Sequence, residues 1–181
     1  MMEKNQIFEN IISRTSVRSY TDMPVEQEKI EMMLRAGMAA PSACNKQPWH
    51  FVVINDREIL DQIPQFSPYA SMVKQAPLAI VVCGYLDKTL EGTEQKFWIQ
   101  DCSAATKNIL LMAHGLGLGG VWTALYPLKE RYEGIQQLLH LPKTMIPLNT
   151  LIIGYPKNQA EAKDKCKEEN ISYNKWMEKN S

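Results

Sequence analysis

Apolar residues recur at three-to-four spacing through the front of the chain, which predicts helices there, and then gather into short runs that predict strands. Residues 4–12 set Ile7, Ile11 and Ile12 along one side of a short helix. Asp22 and Pro24 introduce a second helix carrying Ile30, Met33, Leu34 and Gly37, and Pro41 closes it into the polar turn PSACNKQP. HFVVI, residues 50–54, is the first strand, and a short helix follows over about 57–63. The proline-rich segment 64–77 reads as a loop crossed by one brief helix.

LAIVVCGY, after Pro77, is apolar almost throughout, the pattern of a central strand covered on both faces. The cover comes from a long helix over 93–114, with Trp98, Cys102, Ala105, Ile109, Met112 and Ala113 along one stripe. Gly115, Gly117, Gly119 and Gly120 stop that helix. VWTAL is a further strand, IQQLLHL a short helix closed by Pro142, and TLIIGYP, residues 150–156, the last strand. Helices at the front, then strands separated by helices, predict one α+β domain with a mostly buried sheet, spanning residues 1–181. The tail after Lys157 is charged and yet ends in Tyr173, Trp176 and Met177, a composition that calls for a partner surface.

Charge narrows the functional classes. Twenty basic residues balance twenty acidic ones, so no broad field favours nucleic acid or an anionic membrane, and an anionic ligand needs a local cluster. The acidic start is unlike a secretion signal, and no apolar run is long enough to span a bilayer. Cys44, Cys83, Cys102 and Cys166 are widely spaced, without a CxxC pair, which points to free thiols in a reducing cytoplasm and to no metal site.

Three segments carry candidate chemistry. In RTSVRSY, Arg14, Ser16 and Arg18 alternate, so on an extended backbone they converge on one side and suit a phosphate. The bland reading of the same residues is a solvated loop. In APSACNKQPW, Pro41, Ser42, Asn45 and Gln47 either offer directional hydrogen bonds to a planar ring or satisfy their own backbone. GLGLGG fails as a dinucleotide fingerprint because it follows a helix and precedes a strand. Its glycines either admit a flat ring close to the backbone or simply end the helix. His50, His114 and His140 read as structural, and GxSxG and HExxH are absent, so no catalytic side chain is assigned. Any chemistry then belongs to a bound cofactor. Lys157, at the carboxyl end of the last strand, is a point charge available to a phosphate or to solvent.

Taken in order, RTSVRSY, APSACNKQPWHFVV, APLAIVVCG, the 101–118 helix with its GLGLGG end, and IIGYPK resemble the short single-domain members of the FMN-dependent nitroreductase family. The resemblance implies a three-layer fold with a central, mostly antiparallel sheet flanked by helices. It also implies an intertwined homodimer whose FMN sites lie between subunits, with residues 158–181 packing on the partner. Its motifs place Arg14 and Ser16 mainly at the flavin phosphate, Thr15 within the same cofactor-binding stretch, and Arg18 at the pyrimidine edge. Pro41, Ser42, Ala43, Asn45 and Gln47 fall beside the ring, Gly119 and Gly120 near flavin N5, and Lys157 on the phosphate side. A second phosphate cation is either Lys163 or Lys165, and Gln65, Ser67 and Lys74 stand where larger relatives contact the flavin. The implied activity is hydride transfer from NADH or NADPH through FMN to a nitroaromatic, quinone or related acceptor. Rival readings are a dedicated enone reductase or dehalogenase, and an idle FMN-binding module.

Overall fold

Leu78–Tyr85 is buried on both faces up to its last residue, so a layer of structure must cover each side. The computed structural model describes residues 5–158 and 161–176. Its strands are β1 (Trp49–Ile54), β2 (Leu78–Tyr85), β3 (Gly119–Ala124) and β4 (Met145–Gly154). They form one sheet in the order β1-β2-β4-β3, each neighbouring pair antiparallel.

Successive residues of a strand face opposite ways, and β2 divides the core accordingly. Leu78, Ile80 and Val82 pack with Ile30 and Met33 of helix α2 (Gln27–Met38) and with Cys102, Ala105 and Ile109 of α4 (Trp98–Gly115). Ala79, Val81 and Cys83 pack instead with Leu60 and Ile63 of α3 (Arg57–Phe66) and Ile135 of α5 (Lys129–Leu138). The result is the expected α+β arrangement, a central antiparallel sheet between two helical layers. Helix α1 (Gln6–Ser13) lies outside this core with none of its residues buried, held to α4 by Asn10 Nδ2 donating to the Leu111 carbonyl at 3.0 Å.

Local chemistry explains most element boundaries. The Asn5 side chain accepts from the amides of Ile7 and Phe8 to start α1, and Asp56 accepts from Glu58 and Ile59 to start α3. The larger differences from the sequence expectation lie at four starts, the first being β3, which already includes Gly119 and Gly120, so these two glycines belong to the strand and not to the helix stop. The long helix begins at Trp98, because Gly92–Phe97 winds as a tighter 3-10 segment. β4 begins at Met145, where Pro147 and Asn149 hide the extended pattern; Pro147 lies opposite Cys83, beside the point where the ladder shifts register. α5 begins at Lys129, a polar turn ahead of its apolar half.

Among the described residues no helix is long and apolar enough to cross a membrane. Tyr173 and Trp176 are 83% and 78% exposed, and Met177 lies outside the described residues.

Candidate functional site

Residues 14–20 run extended across the end of the sheet at which β3 starts and β4 finishes. Ser16 bridges Gly120 and Tyr20 bridges Pro156, while the Val17 amide donates to the Gly120 carbonyl at 3.2 Å and the Lys157 amide to the Ser19 carbonyl at 3.0 Å. The Tyr20 hydroxyl pins the stretch from beneath by donating to the carbonyls of Val17 and Ile152, and burial raises its pKa well above the ordinary tyrosine range.

Alternation then sorts the side chains. Thr15 and Val17 line one cavity with Gly117, Gly119 and Pro156, whereas Arg14 lines another, of about 830 Å³, against α1 and the segment 162–166. Lys107 of α4, Lys163 and Lys165 share that second cavity. Among the described residues none of these four cations makes an ion pair, and Arg14 Nε is buried without a hydrogen-bond partner. A buried, unpaired guanidinium NH is costly unless an anion meets it. This donor set suits a phosphate. Arg18 is exposed.

Lys157 lies elsewhere, in a cavity of about 810 Å³ with Thr21, Asp22, Arg57 and Lys74. Both glycines of the GG pair are explained by packing. A Cβ on Gly119 would sit 2.6 Å from Val17 Cβ, and one on Gly120 would sit 2.8 Å from Leu110 Cδ2. Gly117, at φ +78°, is the helix stop, and it lets the Leu118 amide reach the Ala113 carbonyl at 2.9 Å.

The turn after α2 is a separate construction. Its Ser42 Oγ accepts from the Gln47 amide at 3.0 Å, Gln47 Nε2 donates to Asn45 Oδ1 at 2.8 Å, and the Ala43 amide donates to Asp101 Oδ1 at 3.0 Å. Cys44, Asn45 and Gln47 all adopt positive φ, at a cost of about 1 kcal/mol each. A turn held in this way by a buried carboxylate is a rigid platform, with the side chains of Pro41, Asn45 and Gln47 exposed on it.

Helix α4 fixes the spacing between the two constructions. Asp101, which anchors the turn, is in its first helical turn; His114, whose Nε2 lies 2.9 Å from Ser13 Oγ beside Arg14, is in its last. At about 1.5 Å per residue the two are roughly 20 Å apart along the axis. The structure thus gathers Arg14, Thr15 and Ser16 with Gly119 and Gly120 at one end of α4, and Pro41, Ser42, Ala43, Asn45 and Gln47 at the other. Asp101 and Lys107 escaped the sequence reading. The available signals were an acid in the first turn of an apolar helix and its single lysine.

The cysteines offer no nucleophile inside the core. Burial pushes the Cys83 thiol up to about 12 and Cys102 higher still, while Cys44 and Cys166 are exposed and unbonded. His114 is held below its ordinary pKa, first by burial and then by the Arg14 charge.

Comparison with known proteins adds independent information. The sequence profile of the nitroreductase family matches residues 11–69 and 64–155. A "Putative NADH dehydrogenase/NAD(P)H nitroreductase" of Methanothermobacter thermautotrophicus is 45% identical over 175 residues, covering 97% of this chain and 90% of that one. The crystal structure of a protein of the same name from Parabacteroides distasonis superposes with a TM-score of 0.91 at 44% identity, over 96% of this chain and 100% of its own. The NADPH:FMN oxidoreductase of Vibrio harveyi, solved in complex with NAD+, superposes at a TM-score of 0.87 with 26% identity, over 97% of this chain and 80% of its own.

Proposed function

The chain belongs to the nitroreductase family, and on that premise we propose that it is an FMN-dependent oxidoreductase moving hydride from NADH or NADPH to a small acceptor such as a nitroaromatic or a quinone. When bound, FMN supplies reversible hydride acceptance and donation, so the chain has to bind, orient and shield rather than react.

Arg14, Lys163 and Lys165 hold the phosphate, with Thr15 and Ser16 keeping the stretch in place along Gly120. Arg18, exposed further along the same stretch, presents its positive charge to the pyrimidine edge, where negative charge is stabilised. Pro41, Ser42, Ala43, Asn45 and Gln47 form the ring-side platform. The cavity positions favour Lys163 and Lys165 over Lys157 as the phosphate cations.

The observation that carries this reading is the separation along α4. With Ser13 and Arg14 beside the last turn of α4 and the platform anchored at its first, one copy does not close around a single flavin. A second copy, set against the first, supplies the missing half to each site. The apolar residues left exposed on one copy fit that role: Ile7 and Phe8 of α1 are 73% and 52% exposed, and Tyr173 and Trp176 stand out on the tail. We place all four at the contact between the copies.

The direct test is the visible spectrum of gently purified protein. A yellow protein whose absorbance bleaches anaerobically with NADH or NADPH, and returns when a quinone or nitroaromatic is added, supports the proposal. A flavin that neither nicotinamide bleaches makes the chain a binding module instead, and a colourless protein that takes up no added FMN removes the reading altogether.

A further inference from the structure

We infer that Lys107 is a phosphate-binding residue contributed by α4 itself, facing the cavity it shares with Arg14, Lys163 and Lys165. The inference rests on the flavin reading above and adds a residue that no motif in the sequence marks.

The first support is geometric. Three chain segments far apart in sequence bring their cations to one cavity: Arg14 from the stretch after α1, Lys107 from the middle of α4, and Lys163 with Lys165 from the segment beyond β4. Glu9 and Asp164 also line it, and Asp164 Oδ1 already accepts from the Cys166 amide. Four cations therefore face two carboxylates, and none of the four is ion-paired among the described residues. Like charges gathered this way repel one another unless an anion sits between them. A phosphate monoester, carrying about two negative charges near neutral pH, is such an anion.

The second support is that Lys107 senses this crowding. Its ammonium is held below the ordinary lysine range, by burial first, then by Arg14 and by Lys165. A lysine pointing into open solvent feels neither neighbour at short range. Lys165 is thus the tail cation whose charge reaches Lys107, and it lines the cavity together with Lys163.

Lys107 stands on the exposed side of α4, between buried Thr106 and the part-buried Asn108, so replacing it leaves the core intact. Equilibrium dialysis of the full chain against FMN and, separately, against riboflavin reads the proposal without relying on turnover. Lys107→Met is expected to weaken FMN binding about tenfold, to leave riboflavin binding unchanged, and to reduce the salt dependence of FMN binding. Lys107→Arg is expected to restore FMN affinity. Equal FMN affinity in the wild type and in Lys107→Met overturns the inference, as does an equal loss for riboflavin. A wild-type chain that binds neither flavin fails at the earlier step and overturns the flavin reading as well.

Discussion

At the scale of single residues, position within the fold decides what each ionisable group does. His114 illustrates it. Its neighbours are Ser13 Oγ and the Arg14 guanidinium, with Glu161 across the adjoining cavity, and its pKa is lowered by burial and by Arg14. Below about pH 6.5 the unfolded chain takes up a proton there that the folded chain resists, so stability falls as the pH drops from that value through the lower folded pKa. Thermal melts between pH 7 and pH 5 are expected to fall less steeply for His114→Gln than for the wild type; identical slopes would mean that His114 carries no such coupling. Alternation did not bring Arg14, Ser16 and Arg18 to one spot, since Arg14 lines the cavity against α1 and Arg18 is exposed, but the extended run of residues 14–20 was legible from it. Lys107 was not, since helical periodicity assigns a lone lysine to the solvent face and contains no sign of what the chain termini bring opposite it.

At the scale of elements, close approach governs the packing more than propensity does. Gly84, at the end of β2, lies against the Trp98 ring, where an added Cβ would come within 2.2 Å of Cε3. Gly134, inside α5, faces Phe66 at 2.1 Å in the same way. Neither partner is a flexible chain end, so the contact is relieved only by shifting the helix or the ring. Gly84→Ala is therefore expected to destabilise the fold by about 1–3 kcal/mol, lowering the melting midpoint by several degrees. An unchanged melting curve would show that α4 is free to move away from the sheet.

The strands and helices with regular apolar spacing were readable in advance: β2, the α2 stripe and most of α4. The beginnings of β4 and α5 were not, because β4 opens with Met145 paired to Tyr85 ahead of a proline and an asparagine that break the apolar pattern, and α5 opens on the polar turn Lys129–Tyr132. The glycines after α4 show the limit of composition. Their pattern admits either a flat ring close to the backbone or a helix stop, and only the fold reveals Val17 and Leu110 against Gly119 and Gly120.

At the scale of the whole molecule, the α+β layering was visible in the apolar pattern and the family in the order of short motifs, and a site divided between copies came only as what that resemblance implies. Motif order says nothing about which copy a residue serves. The separation of the Asp101-anchored turn from Arg14 beside the last turn of α4 supports the proposed pairing of two chains around each site. A dimer assembled around shared sites has a property that a dimer of self-contained subunits lacks. A variant damaged in the cavity and another damaged in the platform can complement each other.

Mixing is therefore the decisive measurement. Arg14→Ala and a platform variant carrying Ser42→Ala with Asn45→Ala are each expected to lose bound FMN. After the two are unfolded together and refolded, every mixed dimer should regain one intact site, joining the undamaged Arg14 of one chain to the undamaged turn of the other, and FMN absorbance should return to that fraction. Absorbance no higher than in the separately refolded variants would contradict the shared site.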